Sequence, residues 1–137
     1  MGTLIINDFS FEEHGPVLSV GLAESADESG RDLIFQCDLR HNSYPAESNW
    51  PEGETYCVTD TWGRTGYGGV TEASFRGRVL RMVFNEKTTR VLGLEEPSWE
   101  LVISDALANV DELRRQLERV LSCGRPEYRP RVFDFGE

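Results

Sequence analysis

No apolar run in this chain exceeds a handful of residues, and stretches such as Leu33-Ile34-Phe35 fall far short of the ~18 residues that a bilayer-spanning helix needs. The sequence is therefore read as that of a non-membrane protein. The opening segment, Met1 to Phe9, lacks the basic stretch and long apolar core of a secretory signal. Ile6 stands where a myristoylation motif requires Ser or Thr. The expected location is the cytoplasm. There are only three cysteines, Cys37, Cys57 and Cys123, an odd number at irregular spacing. That argues against a secreted disulfide framework and for small buried thiols in a reducing compartment.

Catalytic and cofactor signatures are also missing. Trp62-Gly63-Arg64-Thr65-Gly66-Tyr67-Gly68-Gly69 is glycine-rich, yet a phosphate cradle needs Gly-Lys-Ser/Thr opening a helix, whereas a strand pattern follows here. Glycines at a strand entry mark a bulge or a close backbone approach. Cys37 and His41 are four apart on an extended segment, with Cys57 one strand later. No Cys-x-x-Cys or His-x-x-x-His pair joins them as metal ligands, and no nucleophile signature surrounds the cysteines. The reading assigns no catalytic residue, metal or cofactor.

What is present describes one folded domain. The chain has 137 residues, enough for a single core, and its fourteen Phe, Tyr and Trp exceed what a disordered chain carries. Its net charge of −10 is unevenly spread. Residues 1 to 60 hold twelve Asp and Glu against only Arg31 and Arg40, while residues 61 to 137 hold twelve of each sign. The whole excess lies in the first part, where it repels nucleic acid and anionic membrane and attracts basic partners. Solubility alone is the other use of such charge.

Hydrophobic spacing sets the elements. Residues 3 to 9 and 17 to 25 read as strands of a first hairpin, turned at Gly15-Pro16. Asp32 to Arg40 reads as a strand with Leu33, Phe35, Cys37 and Leu39 on one face. Residues 41 to 54 show no periodicity and form a long loop. Strands are expected at Thr55 to Thr59, Tyr67 to Phe75, Val79 to Phe84 and Trp99 to Ile103. Asn85 is placed to cap a short helix over Glu86 to Leu92, with Gly93 as its stop. Asn109 is expected to cap the clearest helix. There Val110, Leu113, Leu117, Val120 and Leu121 form one apolar stripe, and Asp111 and Arg115 form an i, i+4 pair. The expected fold is α+β: a single domain with a mainly antiparallel sheet, a long C-terminal amphipathic helix packed on it and a short second helix. Residues 1 to 124 make the domain. In the tail, 125 to 137, Val132, Phe133 and Phe135 are too apolar for a solvated end and are expected to pack or to pair with a sheet edge.

Val20-Gly21-Leu22-Ala23-Glu24, Leu33-Ile34-Phe35-Gln36, Tyr56-Cys57-Val58, Tyr67-Gly68-Gly69-Val70, Leu92-Gly93-Leu94 and the helix with Leu113, Leu117 and Leu121 follow one another in a telling order. Over about residues 17 to 122 this pattern resembles the immunity protein 10 family of bacterial polymorphic toxin systems, and Tyr-Gly-Gly-Val after Tyr-Cys is its most distinctive part. The resemblance implies a small cytoplasmic antidote that blocks the effector domain of a toxin encoded beside it by direct binding, with no enzymatic activity and no cofactor. Lys87-Thr88-Thr89-Arg90 departs from the alanine-richer stretch expected there, and the tail has no counterpart in the pattern. A small-ligand protein or enzyme whose site converges only in three dimensions, and a regulatory module of a larger complex, are the other readings. The candidate contacts for a protein toxin domain are Tyr44, Glu47, Trp50, Glu52 and Glu54 in the long loop, with Asp27, Glu28 and Asp38 adding charge from the preceding turn and strand. Two placements are open to Tyr44 and Trp50: outward as contacts, or inward over the core.

Overall fold

A phase slip near the N-terminus decides where the chain goes first. Leu4 and Ile6 are buried at even positions, whereas Phe9 and Phe11 turn to the core at odd ones. A strand keeps its faces only while the period of two is unbroken, so the slip at Asn7 ends one strand and starts another. A computed structural model, describing residues 1–25, 30–42 and 51–136, places β1 (Gly2–Ile6) and β2 (Asp8–His14) in different sheets. The Asn7 amide donates to the Ala23 carbonyl at 3.0 Å as the chain crosses over. The first hairpin is therefore β2 with β3 (Val17–Ala23), turned at Gly15-Pro16, and residues 3 to 6 are not part of it.

β4 (Asp32–Asp38), β5 (Cys57–Asp60) and β6 (Thr65–Tyr67) continue from β3, so that β2 to β6 form an antiparallel five-stranded meander in sequence order. Leu18, Val20 and Leu22 of β3 and Leu33, Phe35 and Cys37 of β4 turn to the core, as their alternation requires. The second sheet takes β7 (Val70–Arg76), β8 (Val79–Phe84), β9 (Ser98–Ile103) and β10 (Val132–Asp134), in the order β1-β9-β8-β7-β10. Its two outer strands run parallel to their neighbours. Two five-stranded sheets, one of them mixed, thus replace the expected single sheet. Both turn an apolar face into one shared core.

Between β8 and β9 lies α1 (Glu86–Val91). Its cap is as expected: the Asn85 side-chain oxygen accepts from the Thr88 amide at 2.8 Å, and Gly93 sits at φ +61° just beyond the end. α2 (Val110–Leu121) is a helix of twelve residues, three turns rather than the long helix expected. Leu113, Leu117, Val120 and Leu121 are buried and Val110 is half-buried. The helix packs against β2, β3 and β4, and Arg119 reaches Glu13 on β2 at 3.0 Å. Arg114 stacks over Phe75 at 4.9 Å and donates to the Gly77 carbonyl, tying the same helix to the second sheet. Asn109 does not cap as expected. It lies in the left-handed region at φ 66°, where its side chain makes no capping bond. The expected Asp111 to Arg115 pair is replaced by pairs one residue closer, Asp111 with Arg114 and Glu112 with Arg115.

The tail closes the second sheet. Val132, Phe133 and Asp134 pair in parallel with Glu72, Ala73 and Ser74, and Phe135 packs edge-on against both Phe75 and Phe133. This fits the expectation drawn from its three apolar residues.

The passage from β6 to β7 is a tight point of the fold. Gly68 and Gly69 take φ +65° and +92°, and the Gly68 amide donates to the Tyr56 carbonyl. Tyr56 is fully buried, its hydroxyl accepts from the Val70 amide at 3.0 Å, and burial pushes its phenol above the ordinary range. Tyr56→Phe leaves that buried amide without an acceptor and is expected to cost about 1–3 kcal/mol in urea unfolding. An unchanged midpoint would mean that water reaches the amide.

Candidate functional site

The meander is built from the part of the chain that carries the charge excess, and its register shows where that charge lies. Asp8 and Asp32 pair with Ala23 at one end of the sheet, opposite the core-facing positions. Glu12 is exposed on the β2 edge. Asp38 pairs with Val17 at the far end, where Arg40 holds it through a 2.6 Å ion pair. That guanidinium keeps the Asp38 carboxyl below the usual carboxylate range.

Of the other expected contacts, Asp27, Glu28, Tyr44, Glu47 and Trp50 lie outside the described residues, as does the side chain of Glu52. Glu54 departs from an exposed role. It is 9% exposed, its carboxylate takes the Arg125 guanidinium at 3.0 Å, and its backbone carbonyl accepts from the Arg125 amide. The adjoining Thr55 bridges to Gly124, so Glu54 fastens the end of the long loop to the start of the tail. Sequence places Glu54 and Arg125 seventy-one residues apart, and no local signal joins them.

The structure adds one feature that spacing alone does not reveal. Asp60, buried at the end of β5, accepts from the amides of Trp62 and Arg64 and from the Arg64 guanidinium at 2.6 Å. These bonds fold the turn and leave Trp62 70% exposed, with Arg64 stacked on it at 5.1 Å. Beside it, Arg31 stacks on Trp99 at 5.5 Å and forks onto Glu95, whose carboxyl it holds below its ordinary range. The two arginines flank a cavity of about 170 Å³ whose apolar wall includes Leu33, Phe84, Leu92, Leu94 and Leu101. Both arginines are engaged, Arg31 with Glu95 and Arg64 with Asp60, so the arrangement offers shape and apolar contact. An exposed Trp beside an Arg is the residue pair that dominates binding hot spots.

The cysteines do not converge on one site. Cys37 faces the core from β4, while Cys57 pairs with Gln36 on the opposite face. Cys37 instead neighbours Cys123 beyond α2, whose Sγ donates to the Asp38 carbonyl at 3.4 Å, and the adjacent sulfur together with burial raises the Cys37 thiol well above its usual range. Both thiols are free and buried.

The model of a known family, immunity protein 10, matches residues 5–111, which spans both sheets from β1 through β9 and reaches the start of α2. The chain belongs to the immunity protein 10 family. No curated protein matches it. Within this immunity protein 10 chain, the Tyr67-Gly68-Gly69-Val70 stretch has a structural role, carrying the chain from one sheet to the other across the buried Tyr56 hydroxyl. Family membership connects the molecule with toxin neutralisation and with a cognate toxin as partner. Among the described residues, no helix is long and apolar enough to cross a membrane.

Proposed function

We propose that this chain neutralises a cognate bacterial toxin domain by binding it directly, without chemistry of its own, in the cytoplasm of the cell that makes the toxin. The family match over residues 5–111 carries this reading. The charge distribution supports a basic partner, since the whole excess of −10 falls in the first sixty residues. The proposed contacts are Asp27, Glu28, Asp38, Tyr44, Glu47, Trp50 and Glu52. Glu54 is left out because it is buried with its carboxylate on Arg125.

Co-expression tests the function. Cells producing the C-terminal domain of the large secreted protein encoded immediately upstream should stop growing, and this chain should restore growth and co-purify with that domain. Continued arrest despite a folded chain refutes the reading. Within the complex, Trp50→Ala should weaken binding by ~2 kcal/mol or more with little loss of stability. Charge reversal at Glu47 and Glu52 should mainly slow association and flatten its salt dependence. Unaltered binding in both variants, measured by titration calorimetry and stopped flow, would move the interface away from the long loop.

A further inference from the structure

The outward faces of the two sheets differ in kind. On the mixed sheet the outward row of Ile5, Val102 and Val79 ends at Arg76, which pairs with Asp134 at 2.5 Å, and the row beside it carries Arg81 paired with Glu100 at 2.9 Å. Covering that face would strip water from formed ion pairs. On the meander, one of the two outward rows that cross all five strands reads Ser10, Gly21, Ile34, Thr59 and Thr65. It holds no charge. The next row places Ser19, Gln36, Cys57 and Tyr67 beside Glu12.

Four polar side chains in these rows have partners within the face. The Gln36 amide donates to the Ser19 hydroxyl at 2.9 Å, and the hydroxyls of Thr59 and Thr65 lie 3.0 Å apart. A partner covering them does not leave them unsatisfied, which removes the main cost of burying polar surface. Gly21 at the centre keeps the face low, and Ile34, Tyr67 and Val17 stand out of it with 38–39% of their surface exposed. Exposed apolar residues in an uncharged field, bounded by Asp8 and Asp32 at one end, Glu12 at the edge and the Asp38–Arg40 ion pair at the other end, have the anatomy of an interface: a core depleted of charge inside a charged rim. The sign of the rim selects the occupant, a protein with a basic border around an apolar or neutral centre.

We infer that the outward face of the β2 to β6 meander is the docking surface for the toxin domain, with Ile34 at its centre and the carboxylates at its rim steering a basic toxin surface onto it. This rests on the proposed reading of the chain as a direct toxin binder. It goes beyond that reading by moving the centre of contact from the long loop to a rigid sheet, where the contacts are preorganised and little ordering entropy is lost on binding.

The test measures the affinity of the full chain for the C-terminal domain of the protein encoded immediately upstream. Ile34→Arg and Ser10→Arg place a bulky cation in the uncharged row, both at solvent-facing positions, and Ile5→Arg does the same on the outward face of the other sheet, where Ile5 is 48% exposed. The expected result is a loss of affinity of about a hundredfold or more for Ile34→Arg and Ser10→Arg, a change of less than about threefold for Ile5→Arg, and unfolding midpoints like that of the parent for all three. Should Ile34→Arg fail to fold, Ser10→Arg on the edge strand carries the test. Parent-like affinity in the folded variants of Ile34 and Ser10 overturns the inference while leaving the antidote reading intact. The inference also falls if the face mediates a dimer of this chain that Ile34→Arg breaks without affecting toxin binding. No binding by the parent chain itself removes the antidote reading, and the inference with it.

Discussion

Leu117→Ala is expected to lower the free energy of unfolding by roughly 2–5 kcal/mol. Leu117 lies at the middle of α2 with no solvent exposure, one turn from Leu113 and Leu121, which are equally buried. The helix packs on β2, β3 and β4, and Arg114 also ties it to the turn between β7 and β8. Neighbours fixed by two sheets have little freedom to collapse into the space of the missing side chain, which places the cost in the upper part of the range. Urea unfolding followed by tryptophan fluorescence measures it. A change below about half a kcal/mol would show that the helix contributes little to the core.

Gly69→Ala should destabilise the fold by roughly 3 kcal/mol, through two effects at one atom. The residue sits at φ +92°, outside the region that a side chain tolerates, and its new Cβ would lie 2.0 Å from the Thr88 hydroxyl oxygen. Thr88 is buried on α1 and cannot swing into solvent, and the Asn85 amide that opens α1 donates to the Gly69 carbonyl at 2.7 Å. Relief therefore requires α1 to shift as a unit. The companion variant Thr88→Ala in the Gly69→Ala background separates the effects in part: it should recover the clash with the hydroxyl and leave both the 2.8 Å approach of the residue 88 Cβ and the backbone part. If Gly69→Ala alone unfolds at the parent midpoint, the passage between the sheets is not the tight point described. Because Gly69 lies in the most distinctive stretch of the family pattern, the same measurement asks whether that pattern marks the fold.

Trp62 and Glu54 show how far a site can be read without the fold. Trp62-Gly63-Arg64 is legible as a turn, but the exposure of Trp62 depends on Asp60 being buried beneath it and accepting the turn's own amides. Glu54 belongs to a run of glutamates that looks solvent-borne, yet Arg125 arrives beside it from the far end of the chain. In both cases the deciding contact comes from burial or from a distant residue, and neither leaves a trace in local spacing. The neutral rows of the meander are harder still to see. Ser10, Gly21, Ile34, Thr59 and Thr65 become neighbours only once five strands are in register.

The sequence by itself determined several of the elements and much of the core, though not the break between β1 and β2 nor that between β6 and β7. Period-two alternation marked β3, β4, β8 and β9, the 3.6-residue stripe marked α2, the Asn85 and Gly93 pair bounded α1, and the apolar tail announced β10. These follow from geometry within one segment, where each residue's environment repeats with the period of the element. Only the tertiary structure decided how the strands divide into two sheets, that β1 and β10 run parallel to partners distant in sequence, and how short α2 is. A strand's pattern states that one face is buried and leaves open against what, because any complementary apolar face satisfies the same alternation. Partner choice is settled by the loops and crossings that bring faces together, and here the phase slip at Asn7 and the left-handed glycines at 68 and 69 send the chain from one sheet to the other.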